Sequence, residues 1–525
     1  MFLKIINYKF LIPIGLVIYA FLINFFSGNI GVMPIDTFGF FDTGYSILKN
    51  KLPIRDFWIF TGLVVDYLQA LFFLIFGLSW KSYIFHSSAI NVIATLSFYF
   101  FLKNFNLNNY LIVIYCISFA TLCYPVSGTP FAYLHSYVFS LVAIFLFCIA
   151  INNQNNLIWL SLPFVFFLAF FSMQTPSFYI IFIILVCTFY YFLKFKKLES
   201  LKFFLLGSLI SILFFLLFLF LTKTPLKNLF YEYFLFPITI GEGRLASDAS
   251  AYVRFSDQLN FKRIFGDFKF IHIFLFPLLY LFIISIIKKK QSLILTNIVV
   301  IVSVLFFIFN QLNQANQIYI FSLIPVLASL LNINITNNNF NKKFILFFIV
   351  VLIFSTAKYH FRYNVERKFL DIENKDKSLA ISAERIDKKL KNLKWLTPNY
   401  ENPEEELNLI SLALEKLKLD NRNKILITHY QFFSLLTEQD LNILNRWYLW
   451  DNNTHPTENH KYFSFYKKLV NENVEKNDIK VIYLLGANNE MPFSKINNYF
   501  ESICFKNYTL VENNFSQHEI IECKN

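Results

Sequence analysis

The sequence predicts a polytopic α-helical membrane protein with about eleven spans, amino terminus inside and carboxyl terminus outside. A soluble α/β domain is expected at its carboxyl end. Hydrophobic residues make up 56% of the 525 and charged residues only 15%, an excess that must face lipid. Apolar runs of membrane length recur from residue 10 to residue 357. From Lys358 onward the composition becomes that of a soluble protein.

The runs occupy 10–26, 62–78, 82–102, 110–124, 132–150, 157–171, 177–193, 203–222, 269–287, 292–309, 317–333 and 344–357. The first resembles a signal peptide, but no small-residue cleavage site follows, so it reads as a retained span. Basic clusters lie at Lys4/Lys9, Lys103, Lys194/Lys196/Lys197/Lys202, Lys288/Lys289/Lys290 and Lys342/Lys343. If every run spans, the last three clusters fall opposite the amino-terminal pair. Withdrawing one early run puts them all on the cytoplasmic side. The run to withdraw is 62–78, where Gly62, Asp66, Gln69 and Gly77 form a thin polar or small stripe at helical spacing. That pattern suits a helix lying at the interface.

A membrane domain over 1–357 follows, with a first exterior loop at 27–81 containing interfacial helices and a long exterior loop at 223–268. The net charge of +13 belongs to lysines beside spans, so membrane lipids are expected partners and nucleic acid is not.

The tail, 358–525, reads as one exterior domain. "NPEEELNLISLALEKLKLD" has a cap, an acidic first turn and lysines at its end, which predicts a helix. "NKILITHYQFF" and "DIKVIYLLG" predict buried strands beside it. "SICFKNYTLVENNFSQHEIIEC" predicts a hairpin turning at Asn513-Asn514, which sets Cys504 opposite Cys523. Either a disulfide in an oxidising periplasm or two free thiols fits. Cys116, Cys123, Cys148 and Cys187 read as small core residues.

The first loop concentrates charge in "IDTFGFFDTGYSILKNKLPIRDFW". Asp42-Thr43 can cap the helix "TGYSILKNK", and Asp36-Thr37 an earlier turn. "PIRDFW" is then extended, with Phe57 and Trp58 at headgroup level. "DTGY" at 42–45, "KLPIRD" at 51–56, "TGLVVDYL" at 61–68 and "FG" at 76–77 resemble the first loop of the GT-C integral-membrane glycosyltransferases. Protein O-mannosyltransferases and the aminoarabinose transferase of lipid A belong to that class. Lys51 replaces the class's usual glycine, Ile54 its aromatic residue, and no proline follows Gly62.

The resemblance implies inverting transfer of a sugar from a polyprenyl-phosphate donor to a hydroxyl or amine acceptor. It places the enzyme in a bacterial inner membrane, with its outer face periplasmic. Asp42 matches the class's catalytic aspartate, with Asp36 as runner-up. A carboxylate there accepts the acceptor's proton, and cations hold the leaving phosphate. Arg244 and Arg254 in the long loop are the chosen phosphate partners. Asp56 and Asp66 are further substrate-binding candidates, although pairing with Arg55 and a helix-start role compete for them. "NQLNQANQ" at 310–317 offers amides, Asn313 and Gln314 among them, to sugar hydroxyls or to helix ends.

No cofactor is expected. His86 and His135 are the one conceivable divalent-metal pair, and they lack ligand spacing. His360, Arg362 and Arg367 begin the tail and are further candidates for phosphate contact. No motif supports nucleotide use or serine hydrolysis. The alternatives are another lipid-linked glycan enzyme, such as an O-antigen polymerase or ligase, a transporter or flippase, and a non-catalytic envelope protein. A transporter predicts internal repeats and mid-span ionisable groups, and neither is evident.

Overall fold

The computed structural model describes residues 8–153, 155–248, 253–288, 291–315, 318–487, 490–500, 503–506 and 509–521. The chain is a multi-pass helical membrane protein: eight described helices are long and apolar enough to cross a bilayer. It divides into two compact units. One comprises Met1–Gly28, Ile84–Phe218 and Phe255–Phe369, the other Asn29–Tyr83, Leu219–Arg254 and Leu370–Asn525.

The first unit is a helical bundle. Its apolar runs must satisfy every backbone group internally once water is gone, and helices do that. Three shorter apolar helices belong to it: Asn109–Leu122, Asn156–Ser172 and Leu323–Asn337. Asn108 and Asn155 cap the first two by accepting the Tyr110 and Leu157 N–H groups. Ala132–Asn153 is the central helix, with 94% of its apolar window buried, against 22% for Leu198–Thr222. Buried amides join the helices. Asn91 donates to the carbonyls of Ala20 and Ala120, and Asn297 and Asn334 exchange hydrogen bonds at 2.9 and 3.0 Å. Gly28 and Gly128 let two backbones touch, since a Cβ on Gly28 would lie 2.5 Å from the Gly128 carbonyl.

The second unit weaves three separate stretches together. Its tail portion carries β1 (Ile381–Ser382) paired with β2 (Lys394–Trp395), and a sheet of β3 (Lys424–Thr428), β4 (Val481–Leu485), β5 (Cys504–Phe505), β6 (Thr509–Glu512) and β7 (Phe515–Ile521). The order is β3-β4-β7-β5, with β6 also on β7. β3 and β4 are parallel and β7 is antiparallel to β4. The expected helix is Pro403–Leu419, capped by Asn402. The first stretch adds to this body by backbone bonds: Gly31 N–H donates to the Lys394 carbonyl, and Trp58 N–H to that of Leu444.

Several expectations need correction. The first loop is not a surface excursion with aromatic residues at the headgroups. Phe57 and Trp58 are buried, Trp58 within the tail's apolar core, and its indole donates to the Thr454 carbonyl. "PIRDFW" is a tight turn rather than extended chain, closed by Ile54 N–H to the Phe57 carbonyl. The helix Leu63–Phe76 lies in this unit, and its polar stripe points inward. Asp66 and Gln69 are buried, while Leu71, Leu74, Ile75 and Phe76 are exposed.

The long loop is helical and divided: Leu226–Leu229, Phe230–Leu235 and Phe236–Leu245 belong to the second unit, Phe255–Gln258 and Lys262–Asp267 to the first. Residues 249–252 of that loop lie outside the described residues. The last bundle helix, Lys343–Tyr359, runs on through a wide turn, His360–Val365, so the second unit resumes at Leu370 rather than at 358.

The hairpin turns at 513–514 as expected, with Glu512 opposite Phe515. A register shift between Leu510 and Glu512 moves the pairing by one residue, and the β5 pairing with β7 is offset by one more, so Cys504 faces Ile521, not Cys523. Cys504 is disulfide-bonded. The expected partner, Cys523, lies outside the described residues.

Candidate active site

The aspartates of the first loop meet different surroundings. Asp42 sits in the first turn of the helix Phe41–Leu48 and does not cap it. Its carboxylate caps a helix far along the chain instead. Ser434 N–H donates to Oδ2 and Leu435 N–H to Oδ1, both at 2.9 Å, at the start of Phe433–Thr437. Those are N–H groups that a helix start leaves without intrahelical partners. Asp42 is 3% exposed, and burial pushes its carboxyl up to about 7 while the two N–H groups pull it down.

Asp66 is fully buried. It accepts Thr43 Oγ1 at 2.5 Å and pairs with the Arg446 guanidinium. Arg446 also donates to the Thr61 carbonyl at 2.6 Å and lies 4.2 Å above the Phe40 ring. Asp56 accepts the Leu52 N–H at 2.8 Å, Arg55 Nε at 2.8 Å and Lys476 Nζ at 2.9 Å. Against the upward pull of burial, those donors hold its carboxyl below the usual range. The partners of Asp56 and Asp66 are thus groups of the protein itself, and both residues tie the first stretch to the tail.

Asp36 differs. It lies in the short helix Pro34–Thr37 and is half-buried. Among the described residues its carboxylate has no hydrogen-bond or ion-pair partner. Burial pushes it up to about 6, with His429 opposing and Asp371 adding. The Trp447 indole fixes the neighbouring backbone by donating to the Ile35 carbonyl at 2.7 Å. Gly39 makes room for that indole, since a Cβ there would meet it at 3.0 Å.

His429 stands just past the carboxyl end of β3, with Nδ1 3.2 Å from Glu490 Oε2 and Nε2 3.0 Å from the Tyr448 carbonyl. Both nitrogens face acceptors. Glu490 follows β4, and the Trp450 indole holds its backbone carbonyl at 2.9 Å. The carboxyl edge of a parallel strand pair is where open α/β sheets place ligands. A half-buried carboxylate without a partner of its own can accept a proton.

The other expected site residues are dispersed. Arg244 is half-buried and donates to Asn453 Oδ1 at 2.7 Å, while Arg254 is exposed. Asn313 and Gln314 belong to the helical bundle unit, and residues 316 and 317 of their turn lie outside the described residues. Arg367 is spent on backbone, donating to the carbonyls of Pro125, Val126 and Ser127. Arg362 lies over the Tyr363 ring, and His360 contacts Asn364. His86 and His135, separate in sequence, touch through their Nε2 atoms at 2.9 Å, and Tyr124 OH lies 2.6 Å from His135 Nδ1. Among the described residues no group of three His, Cys, Asp or Glu side chains is arranged to hold a metal.

No protein family model and no curated protein matches the chain. Solved structures similar to it include the following two. One is the Archaeoglobus fulgidus oligosaccharyltransferase in complex with Zn and sulfate, at 11% identity and TM-score 0.45, covering 89% of this chain and 67% of that one. The other is the archaeal oligosaccharyltransferase AglB from Archaeoglobus fulgidus in complex with an inhibitory peptide and a dolichol-phosphate. It shows 12% identity and TM-score 0.44, covering 98% of this chain and 75% of that one. At these scores neither likeness carries an argument about the fold or reaction of this chain.

Sequence reasoning missed His429, Glu490, Arg446 and Glu232. For His429 a signal existed: a lone histidine ending the apolar run "KILIT" sits where α/β sheets bind ligands. Glu232 is buried in Phe230–Leu235 and accepts the Ile59 N–H at 3.1 Å, and burial drives its carboxyl well above the usual range. Nothing in "FYEYFL" announces that.

Proposed function

We propose that the chain is an inverting glycosyltransferase of the GT-C type, moving a sugar from a polyprenyl-phosphate donor to an exterior acceptor. The observation that carries this reading is the half-buried carboxylate of Asp36, without a hydrogen-bond or ion-pair partner among the described residues and within electrostatic reach of His429, which follows β3. The base expected at Asp42 is reassigned: both Asp42 oxygens serve Ser434 and Leu435, so Asp42 positions the helix Phe433–Thr437 and Asp36 takes the proton. In the step, an acceptor oxygen or nitrogen attacks the sugar's C1 while its proton passes to Asp36. The C1–oxygen bond to phosphate breaks and its electron pair stays on that phosphate. Arg244 and Arg254, the cations expected from the sequence, are the proposed partners of that phosphate.

The arrangement of the chain supports an outer location for this chemistry. Six apolar helices lie between the first and second stretches of the second unit, and four between the second and third. With the three shorter helices counted as crossings too, these even numbers return the chain to one face, and the helix Tyr8–Gly28 would enter from the other. The bonded Cys504 suits an oxidising periplasm.

Membranes carrying the wild-type chain or Asp36→Asn test the reading, with loss of polyprenyl-phosphate sugar followed by mass spectrometry. Asn cannot accept the proton, so turnover is expected to fall about 10²–10⁴-fold. Wild-type turnover in Asp36→Asn ends the assignment.

A further inference from the structure

One residue along the chain from Glu490, the same edge of the sheet opens into a cleft of about 230 Å³ that reaches from Met491 to the start of β7. Leu485 pairs with Phe515 and Leu484 with Ser516, so the end of β4 and the beginning of β7 form its floor. Gly486 keeps its mouth open, because a Cβ there would meet Met491 Cγ at 3.1 Å.

We propose that this cleft binds one neutral sugar ring of the acceptor. Calling that ring the acceptor's rests on the glycosyl-transfer reading above, whereas the binding itself does not.

Size sets the first limit. Pockets for drug-sized molecules run to about 300–1,000 Å³, and this cleft is smaller, room for a single ring. Charge sets the second. None of its ten lining residues is Asp, Glu, Lys or Arg, and burial lowers the remaining titratable group, His518, to about 4. A phosphate or an ammonium would therefore find no counter-charge, and a neutral ligand loses nothing. The walls set the third. Phe493 stacks on His518 at 3.9 Å with the rings 6° apart, a flat platform for the apolar face of a pyranose. Beside it Ser516 Oγ contacts His518 Nε2 at 3.0 Å, so the imidazole orients the hydroxyl, which keeps further hydrogen-bonding capacity for a sugar hydroxyl. A ligand with one apolar face and a hydroxylated rim matches both walls.

Full-length protein in a sugar-free amine-oxide detergent, probed by saturation-transfer difference NMR with methyl glycosides of glucose, mannose, galactose and N-acetylglucosamine, tests this. At least one glycoside is expected to give a saturable signal. Ser516→Ala should weaken it about tenfold, the value of one lost hydrogen bond. Leu510→Trp should abolish it, because Leu510 lines the cleft yet is 58% exposed, so the larger side chain fills the mouth without entering the core. Unchanged thermal unfolding in both variants shows that the fold persists. No saturable signal from any glycoside, or equal binding by wild type and both variants, overturns the proposal. Asp36→Asn should bind like wild type, so loss of transfer with binding intact separates this site from the catalytic assignment.

Discussion

At the residue scale, the first loop distributes its aspartates among jobs that their spacing did not reveal. Of the first-loop aspartates, Asp36 has no hydrogen-bond or ion-pair partner among the described residues, and burial that pushes its carboxyl up to about 6 would make the proposed transfer pH-dependent. A general base works only ionised. The kcat/KM for sugar transfer is therefore expected to rise tenfold per pH unit below about 6 and to level off above it. A flat profile between pH 5 and 7 in a stopped glycan-transfer assay would contradict the role. Asp66 and Arg446 predict differently. Their pair is buried, so Arg446→Ala strands a carboxylate and should cost about 3–5 kcal/mol in detergent unfolding. Asp66→Asn combined with Arg446→Met should recover much of that loss, because no unpaired charge remains.

At the element scale, the decisive feature is a cap supplied across the sequence. The helix Phe433–Thr437 has no capping side chain of its own, and Asp42 provides one. Asp42→Ala should lower stability by about 0.5–2 kcal/mol, the usual value of an N-cap. Asp42 also carries a pH signature. Burial raises its carboxyl from 3.8 to about 7 in the folded state. The stabilisation from its protonated form is complete below the unfolded value and is lost as pH rises through about 7. Thermal unfolding of wild type should therefore weaken between pH 4 and 7, and Asp42→Asn should flatten part of that slope. An identical slope in the variant would show that burial is not controlling this group. Much at this scale was legible. The helix Pro403–Leu419, the strands β3 and β4 and the turn at 513–514 stand where caps, β-branched runs and asparagines put them. The strand register that sets Cys504 opposite Ile521 was not, because a bulge is a local backbone choice that alternation of side chains does not encode.

At the scale of the whole molecule, three stretches distant in sequence make one body. The segment 370–525 expressed alone is expected to remain unfolded or aggregate. It would expose the core that Trp58 and Phe236 complete and lose the Asp42 cap. Sidedness is a second expectation. Lys49→Cys, Glu242→Cys and Lys418→Cys are exposed positions, one on each stretch, and all three should react with a membrane-impermeant maleimide from the periplasmic side. Labelling of any one from the cytoplasmic side alone would refute the shared face. The candidate site was half legible for the same reason. The sequence put Asp42 first and Asp36 only second, whereas His429 and Glu490 acquire meaning only when β3 and β4 pair in parallel and present their carboxyl ends together.

By itself the sequence determined which segments are apolar enough to cross a membrane. Apolar length and lysine placement decide which stretches meet lipid, because burying uncharged runs and wetting charged ones dominate the free energy. Tertiary structure alone decided which acid is spent and which is left over. That depends on donors hundreds of residues away, and a backbone N–H has no identity in the sequence until the fold aims it.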